Sequence, residues 1–113
     1  MTKFGFKITL IDAGTSANAN INTEAMDVNL YQFAYVQILT ASLNASDGVF
    51  KLQDSNDGTN WHDIAGATVT VLSAAPSHII RVTTPIVATY LRGVWTKNTV
   101  NAGTINVIVS LKK

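Results

Sequence analysis

The stretch from Gly48 to Ile64, GVFKLQDSNDGTNWHDI, restricts the fold more than any other part of the chain. Phe50 and Leu52 alternate with Val49, Lys51 and Gln53, the period-two pattern of a strand with one apolar face. Asp57-Gly58 then supplies a reversal. Glycine adopts positive φ at no steric cost, and Asp and Asn enter the left-handed region more readily than most residues. Trp61 follows on the returning arm, where its ring can fold back over the sheet while the indole N–H finds an acceptor near the rim. The expected unit is strand, tight turn, strand, built into the core.

The rest of the chain repeats the same alternation. Phe4, Phe6, Ile8 and Leu10 recur against Gly5, Lys7 and Thr9, giving a first strand that ends at Asp12-Ala13-Gly14. Thr15 to Asn22 is a loop or a weak edge strand. Ile21, Met26, Val28 and Leu30 restore an apolar set, and a strand over 25–30 is preferred to a short helix over 23–27 capped by Thr23. Phe33 to Thr40 is apolar on both faces except at Gln37, so it is expected centrally or against another subunit. Ala41 to Gly48 is a polar loop, and its Asn44-Ala45-Ser46 sequon is not expected to be used without a secretory signal.

Gly66 is expected to break the chain before a strand over 68–72, and Pro76 marks the next turn. In the strand over 78–83, His78, Ile80 and Val82 share one face and Ile79, Arg81 and Thr83 the other. Over 88–96, Leu91, Gly93 and Trp95 oppose Tyr90, Arg92 and Val94. Ile105, Val107, Val109 and Leu111 alternate inward in the last strand. About eight short strands separated by turn residues predict an all-β, antiparallel two-sheet sandwich, jelly-roll-like, spanning residues 1–113 as one domain.

Composition removes several functions. A net charge of +1 leaves no electrostatic footprint for nucleic acid or an anionic membrane, and no stretch approaches the roughly 18 apolar residues of a membrane-spanning helix. Cysteine is absent, so no disulfide, thiol nucleophile or cysteine-ligated zinc site can form. The opening MTKFGFKITLI alternates and lacks the continuous apolar run of a signal peptide, so synthesis in a cytoplasm without export by the general secretory route is expected.

Asp54, Asn56, Asp57 and Asp63 suggest a calcium loop, but the spacing does not fit an EF-hand. Gly58 stands fifth from Asp54, and Ala65 occupies the place of the bidentate Glu. The two histidines, His62 and His78, fall in separate strands, and Glu24 is the only glutamate, so neither a triad nor a glycosidase carboxylate pair is legible. The expectation is a protein without catalysis, cofactor or metal.

The string LQDSNDGTNW, with IIRV and GTINVIVSL further on, resembles a pattern in small β-sandwich structural proteins of tailed and other bacteriophages. Its S-x-D-G-x-x-W core, Ser55, Asp57, Gly58 and Trp61, is also similar to discoidin and galactose-binding-like jelly rolls, although those are longer and often carry a disulfide. The phage resemblance implies a virion component, such as a capsid decoration protein, penton, spike, head-fibre or tail part, made in the host cytoplasm. It would act as a homo-oligomer, trimer or pentamer, and through other virion proteins, without nucleic acid or membrane insertion.

Two classes of function follow. In the first, the outward residues Val49, Ile79, Val94 and Ile108, with Arg81 and Arg92 on strands expected to lie near one another, form subunit interfaces. In the second, a carbohydrate-binding module or adhesin, Trp61, Trp95 and Tyr90 are the leading sugar-stacking candidates, with Tyr31 and Tyr35 as further rings, and the partner is a host-surface glycan. Core packing is the competing role for both tryptophans. An exposed tryptophan would favour the second class.

Overall fold

A computed structural model describes residues 5–113, and Phe4, expected in the first strand, lies outside the described residues. Nine strands follow in order: β1 Gly5–Ser16, β2 Ile21–Asn22, β3 Met26–Asp27, β4 Phe33–Ala41, β5 Gly48–Ser55, β6 His62–Val71, β7 Ser77–Val82, β8 Tyr90–Thr96 and β9 Thr104–Lys112. Among the described residues there is no helix. One sheet has the order β1-β9-β4-β7; the other runs β2-β8-β5-β6, with β3 also paired to β8. Every pairing is antiparallel. With β2 and β3 taken as one interrupted strand, successive strands are shared between the two sheets in a jelly-roll-like order.

The alternation seen in the sequence decides what lies between the sheets. Val36 and Ile38 from β4, Ile80 and Val82 from β7, and Ile105, Val107, Val109 and Leu111 from β9 face inward from one side. Phe50 and Leu52 of β5, Val71 of β6, and Leu91 and Trp95 of β8 meet them from the other. The Trp95 ring lies directly over Gly48, where a Cβ would overlap its six-membered ring. Its indole N–H donates to the Ala17 carbonyl at 3.1 Å, so the core's largest side chain has no orphaned donor.

Three local expectations are corrected. β1 does not end at Asp12-Ala13-Gly14. Its pairing with β9 shifts after Thr9 and again after Ile11, then resumes at Thr15 and Ser16, so the glycine sits in a bulge. Gly66, at φ +77°, likewise lies within β6 and does not separate two strands. Asp63 to Thr68 on β6 bulges out opposite Gln53 to Lys51 on β5.

The stretch expected as a strand over 25–30 contributes only Met26–Asp27. Asp27 accepts the Asn29 N–H at 3.0 Å and the chain turns away, while Val28 stays buried and bonds Thr89. Thr23 caps no helix. Its N–H donates to Gly93 O at 2.9 Å and its hydroxyl oxygen accepts Gly93 N–H at 2.8 Å, fastening the strand-poor segment to β8. Asn44 of the sequon turns its Oδ1 to the amides of Asn101 and Ala102, joining two loops at one end of the sandwich.

Candidate binding surfaces

The β5–β6 turn shows why the S-x-D-G-x-x-W residues stand where they do. The Ser55 hydroxyl accepts the N–H groups of Asp57 and Gly58 and donates to Asp57 Oδ1 at 2.9 Å. That carboxylate also accepts the amides of Thr59 and Asn60 on Oδ1, and the Asn60 side chain at 2.7 Å on Oδ2. Gly58 takes φ +74°. Asp57 is therefore the hub of the turn, and the bonds from Asn60, Thr59 and Ser55 hold its carboxyl far below the usual carboxylate range. Asn56 accepts the Thr89 N–H at 3.2 Å, which ties the turn to the start of β8.

Emerging from this turn, Trp61 does not enter the core as Trp95 does. It stays half-buried, with the Arg92 guanidinium carbon 4.5 Å from its ring centroid. Register explains the meeting. Gln53 pairs with Arg92 on one side and Asp63 on the other, so all three point to the outer face of the five-stranded sheet. Arg92 Nε donates to Gln53 Oε1 at 2.9 Å, and Gln53 Nε2 donates to Asp63 Oδ1 at 2.8 Å. Lys51, two residues before Gln53 on the same face, forms an ion pair with Asp63 at 3.1 Å. The Gln53 bond and then Lys51 hold the Asp63 carboxyl below its ordinary value. A relay of four side chains thus runs across three strands beside an indole. Tyr90 lies at one end, its ring packed near Gly58.

The outer face of the four-stranded sheet is different. Tyr35 of β4 stands opposite Arg81 of β7, whose guanidinium carbon lies 5.4 Å from the Tyr35 ring centroid. Gln37 is flanked by Ile79 and Ile108. Tyr35 and Ile79 are each 38% exposed, and Phe33, Leu39 and Ile108 are half-buried beside them. Strands β4, β7 and β9 carry no carboxylate, while Arg81 and Lys112 supply positive charge.

The six interface candidates consequently divide between opposite faces. Ile79, Arg81 and Ile108 lie outward on the four-stranded sheet, and Val49, Arg92 and Val94 outward on the five-stranded one. The expected proximity of Arg81 and Arg92 is corrected, because β7 and β8 follow one another in the chain but belong to different sheets. Among the sugar-stacking candidates, Trp95 is 0% exposed and is no platform; Trp61 and Tyr90 are half-buried at the outer face. Sequence reasoning missed Lys51 and Gln53. Their signal was polar character at outward positions of a strand whose inward positions are Phe50 and Leu52.

The histidines share no site. His62 is exposed on β6, while His78 Nε2 accepts the Leu72 N–H at 3.2 Å. Among the described residues, no group of three or more His, Asp or Glu side chains is placed to hold a metal ion.

No protein-family profile matches the sequence, and no curated protein does. Solved structures do match the fold. The SPBc2 prophage-derived protein YomS superposes with a TM-score of 0.62 at 12% identity, over 98% of this chain and 95% of that one. The PBSX exported protein XepA gives 0.61 at 14% identity over 99% of this chain, which spans only 39% of XepA. A low-affinity xylan-binding module, CBM86 from Roseburia intestinalis, gives 0.54 at 14% identity, over 96% and 94% of the two chains. The chain thus has the two-sheet antiparallel sandwich also found in phage-derived proteins and carbohydrate-binding modules.

Proposed function

We propose that this chain is a non-enzymatic component of a bacteriophage particle, a capsid decoration, penton, spike, head-fibre or tail part, that works by self-association and by contact with other shell proteins. The observation that carries the proposal is the outer face of the four-stranded sheet. Tyr35 and Ile79, more than a third exposed, stand with Phe33, Leu39 and Ile108 on a surface without carboxylates on its three strands β9, β4 and β7. These apolar side chains, interleaved with Gln37 and Arg81, gain free energy by being covered, at about 25 cal/mol per Å² of apolar area. The prophage origin of YomS supports the phage assignment.

Light scattering on the purified chain tests it. A discrete trimer or pentamer is expected, and Ile79→Asp is expected to shift it to monomer while circular dichroism stays unchanged. A wild-type chain that remains monomeric at a concentration of about 100 μM overturns the self-association reading, since an interface of standard size holds well below that.

A second reading, carbohydrate recognition, is favoured by the Trp61–Arg92 pair and its polar relay on the opposite face. Sugar sites combine an aromatic surface with a few fixed polar groups. The xylan-binding module among the fold neighbours supports it. The two readings use different faces and are compatible in one molecule.

A further inference from the structure

We infer that the outer face of the five-stranded sheet binds a carboxylated glycan, a chain containing uronic acid, with Arg92 receiving the carboxylate beside the Trp61 ring. This rests on the carbohydrate reading above and names its ligand class.

Charge is the first ground. Within the relay Lys51 and Asp63 neutralise one another at 3.1 Å. Arg92 meets only the neutral Gln53, and among the described residues it has no carboxylate partner. One positive charge is left over, and it is on the side chain best suited to planar anions. A guanidinium offers five N–H donors, and only Nε is engaged by Gln53. The donors on the two Nη atoms make no hydrogen bond within the described protein and form the fork that donates to both oxygens of a carboxylate.

Pre-organisation is the second ground. The fork is held at Nε by Gln53, whose own amide is fixed by Asp63, whose charge is fixed by Lys51; the indole supports the guanidinium at 4.5 Å. Little rotamer freedom remains to be lost when a ligand arrives, which favours binding. A carboxylate in the guanidinium plane would lie alongside Trp61. The pyranose C–H groups of the same chain would then cover the part of the indole that Arg92 leaves open. A single fork matches a single negative charge. A phosphate dianion would keep an uncompensated charge, because Asp63 already occupies the only neighbouring cation in the relay.

Titration calorimetry of the full chain with tetragalacturonate and with xylotetraose is the test, with Arg92→Gln, Arg92→Lys and Trp61→Ala checked for intact folding by circular dichroism. Tetragalacturonate is expected to bind at least about tenfold more tightly than the neutral tetramer, one bidentate charge-assisted contact supplying that margin. Arg92→Gln is expected to erase the margin, and Arg92→Lys to lose most of it, since an ammonium has no fork. Trp61→Ala is expected to weaken both sugars. Equal binding of the two sugars, indifferent to Arg92→Gln, overturns the inference and leaves the carbohydrate reading standing. Binding of poly-glutamate as tight as that of the uronate overturns it as well, because the site is then a general anion site. No binding of either sugar overturns both readings.

Discussion

Asp57 shows how one side chain sets the shape of a surface without taking part in its chemistry. Its carboxylate collects the amides of Thr59 and Asn60, the Asn60 side chain and the Ser55 hydroxyl, and in doing so it aims the next residue, Trp61, away from the core. Those donors stabilise the ionised form, so the carboxyl titrates well below its value of about 3.9 in an unfolded chain. As pH falls, the unfolded state takes up the proton first. The contribution is therefore complete above the unfolded pKa and is lost as pH drops through that of the folded state. Asp63 is shifted the same way by Gln53 and Lys51 and adds to the same acid-side loss. Urea unfolding of wild type and Asp57→Asn checks this. The wild type is expected to have the higher midpoint at pH 7, with the gap starting to narrow as pH falls below the unfolded-state value of about 3.9 and most of it still present at about pH 3.

At the scale of elements, Gly66 separates what the sequence discloses from what it hides. It occupies φ +77° inside the β6 bulge, and nothing lies within 4 Å of where a Cβ would project. Any penalty for replacing it is a backbone penalty. Gly66→Ala is expected to cost about 1–2 kcal/mol, and Gly66→Asn distinctly less, because Asn tolerates the left-handed region. Denaturant midpoints of the two variants measure the difference. Strands β8 and β9 were legible because alternation on both sides of a residue leaves one register, as Leu91, Gly93 and Trp95 show, and β4 was legible as a continuous apolar run. The ends of β1 and β6 were not, since a glycine with positive φ looks the same in sequence whether it closes a turn or bulges a strand. The chain's exit from β3 was hidden for another reason. Val28 keeps the inward alternation while its backbone leaves the sheet. The candidate surface around Trp61 was half legible. Trp61 and Tyr90 were visible as aromatics on a hairpin and a strand, but the meeting of Arg92 with Trp61 depends on β8 pairing beside β5, which no local pattern encodes.

The molecule as a whole rests on a closure between distant parts. Gly5 pairs with Lys112, and β9 lies between β1 and β4, so the four-stranded sheet has no two neighbours consecutive in the chain. β9 also buries Ile105, Val107, Val109 and Leu111, each worth about 1.5–3 kcal/mol, a sum comparable with the entire net stability of about 5–15 kcal/mol of a typical domain. A chain ending at Gly103 is expected to give no cooperative unfolding transition by circular dichroism or calorimetry. A sharp melt in that truncation would show that the five-stranded sheet and β4–β7 can stand without the closing strand.

The same closure sets a schedule for synthesis. A ribosome delivers β1 first, yet the strand that pairs with it arrives only when residues 104–112 have cleared the exit tunnel. Until then Ile8, Leu10 and Ile11 belong to a ribbon with no ladder to join, and one edge of β4 is equally bare. The β5–β6 hairpin can form on its own as it emerges, whereas the four-stranded sheet is completed only after β9 is released. Until β9 has emerged, then, β1 is an apolar strand without its partner, and the outer face on which Tyr35 and Ile79 stand is unfinished along the β9 edge of β4.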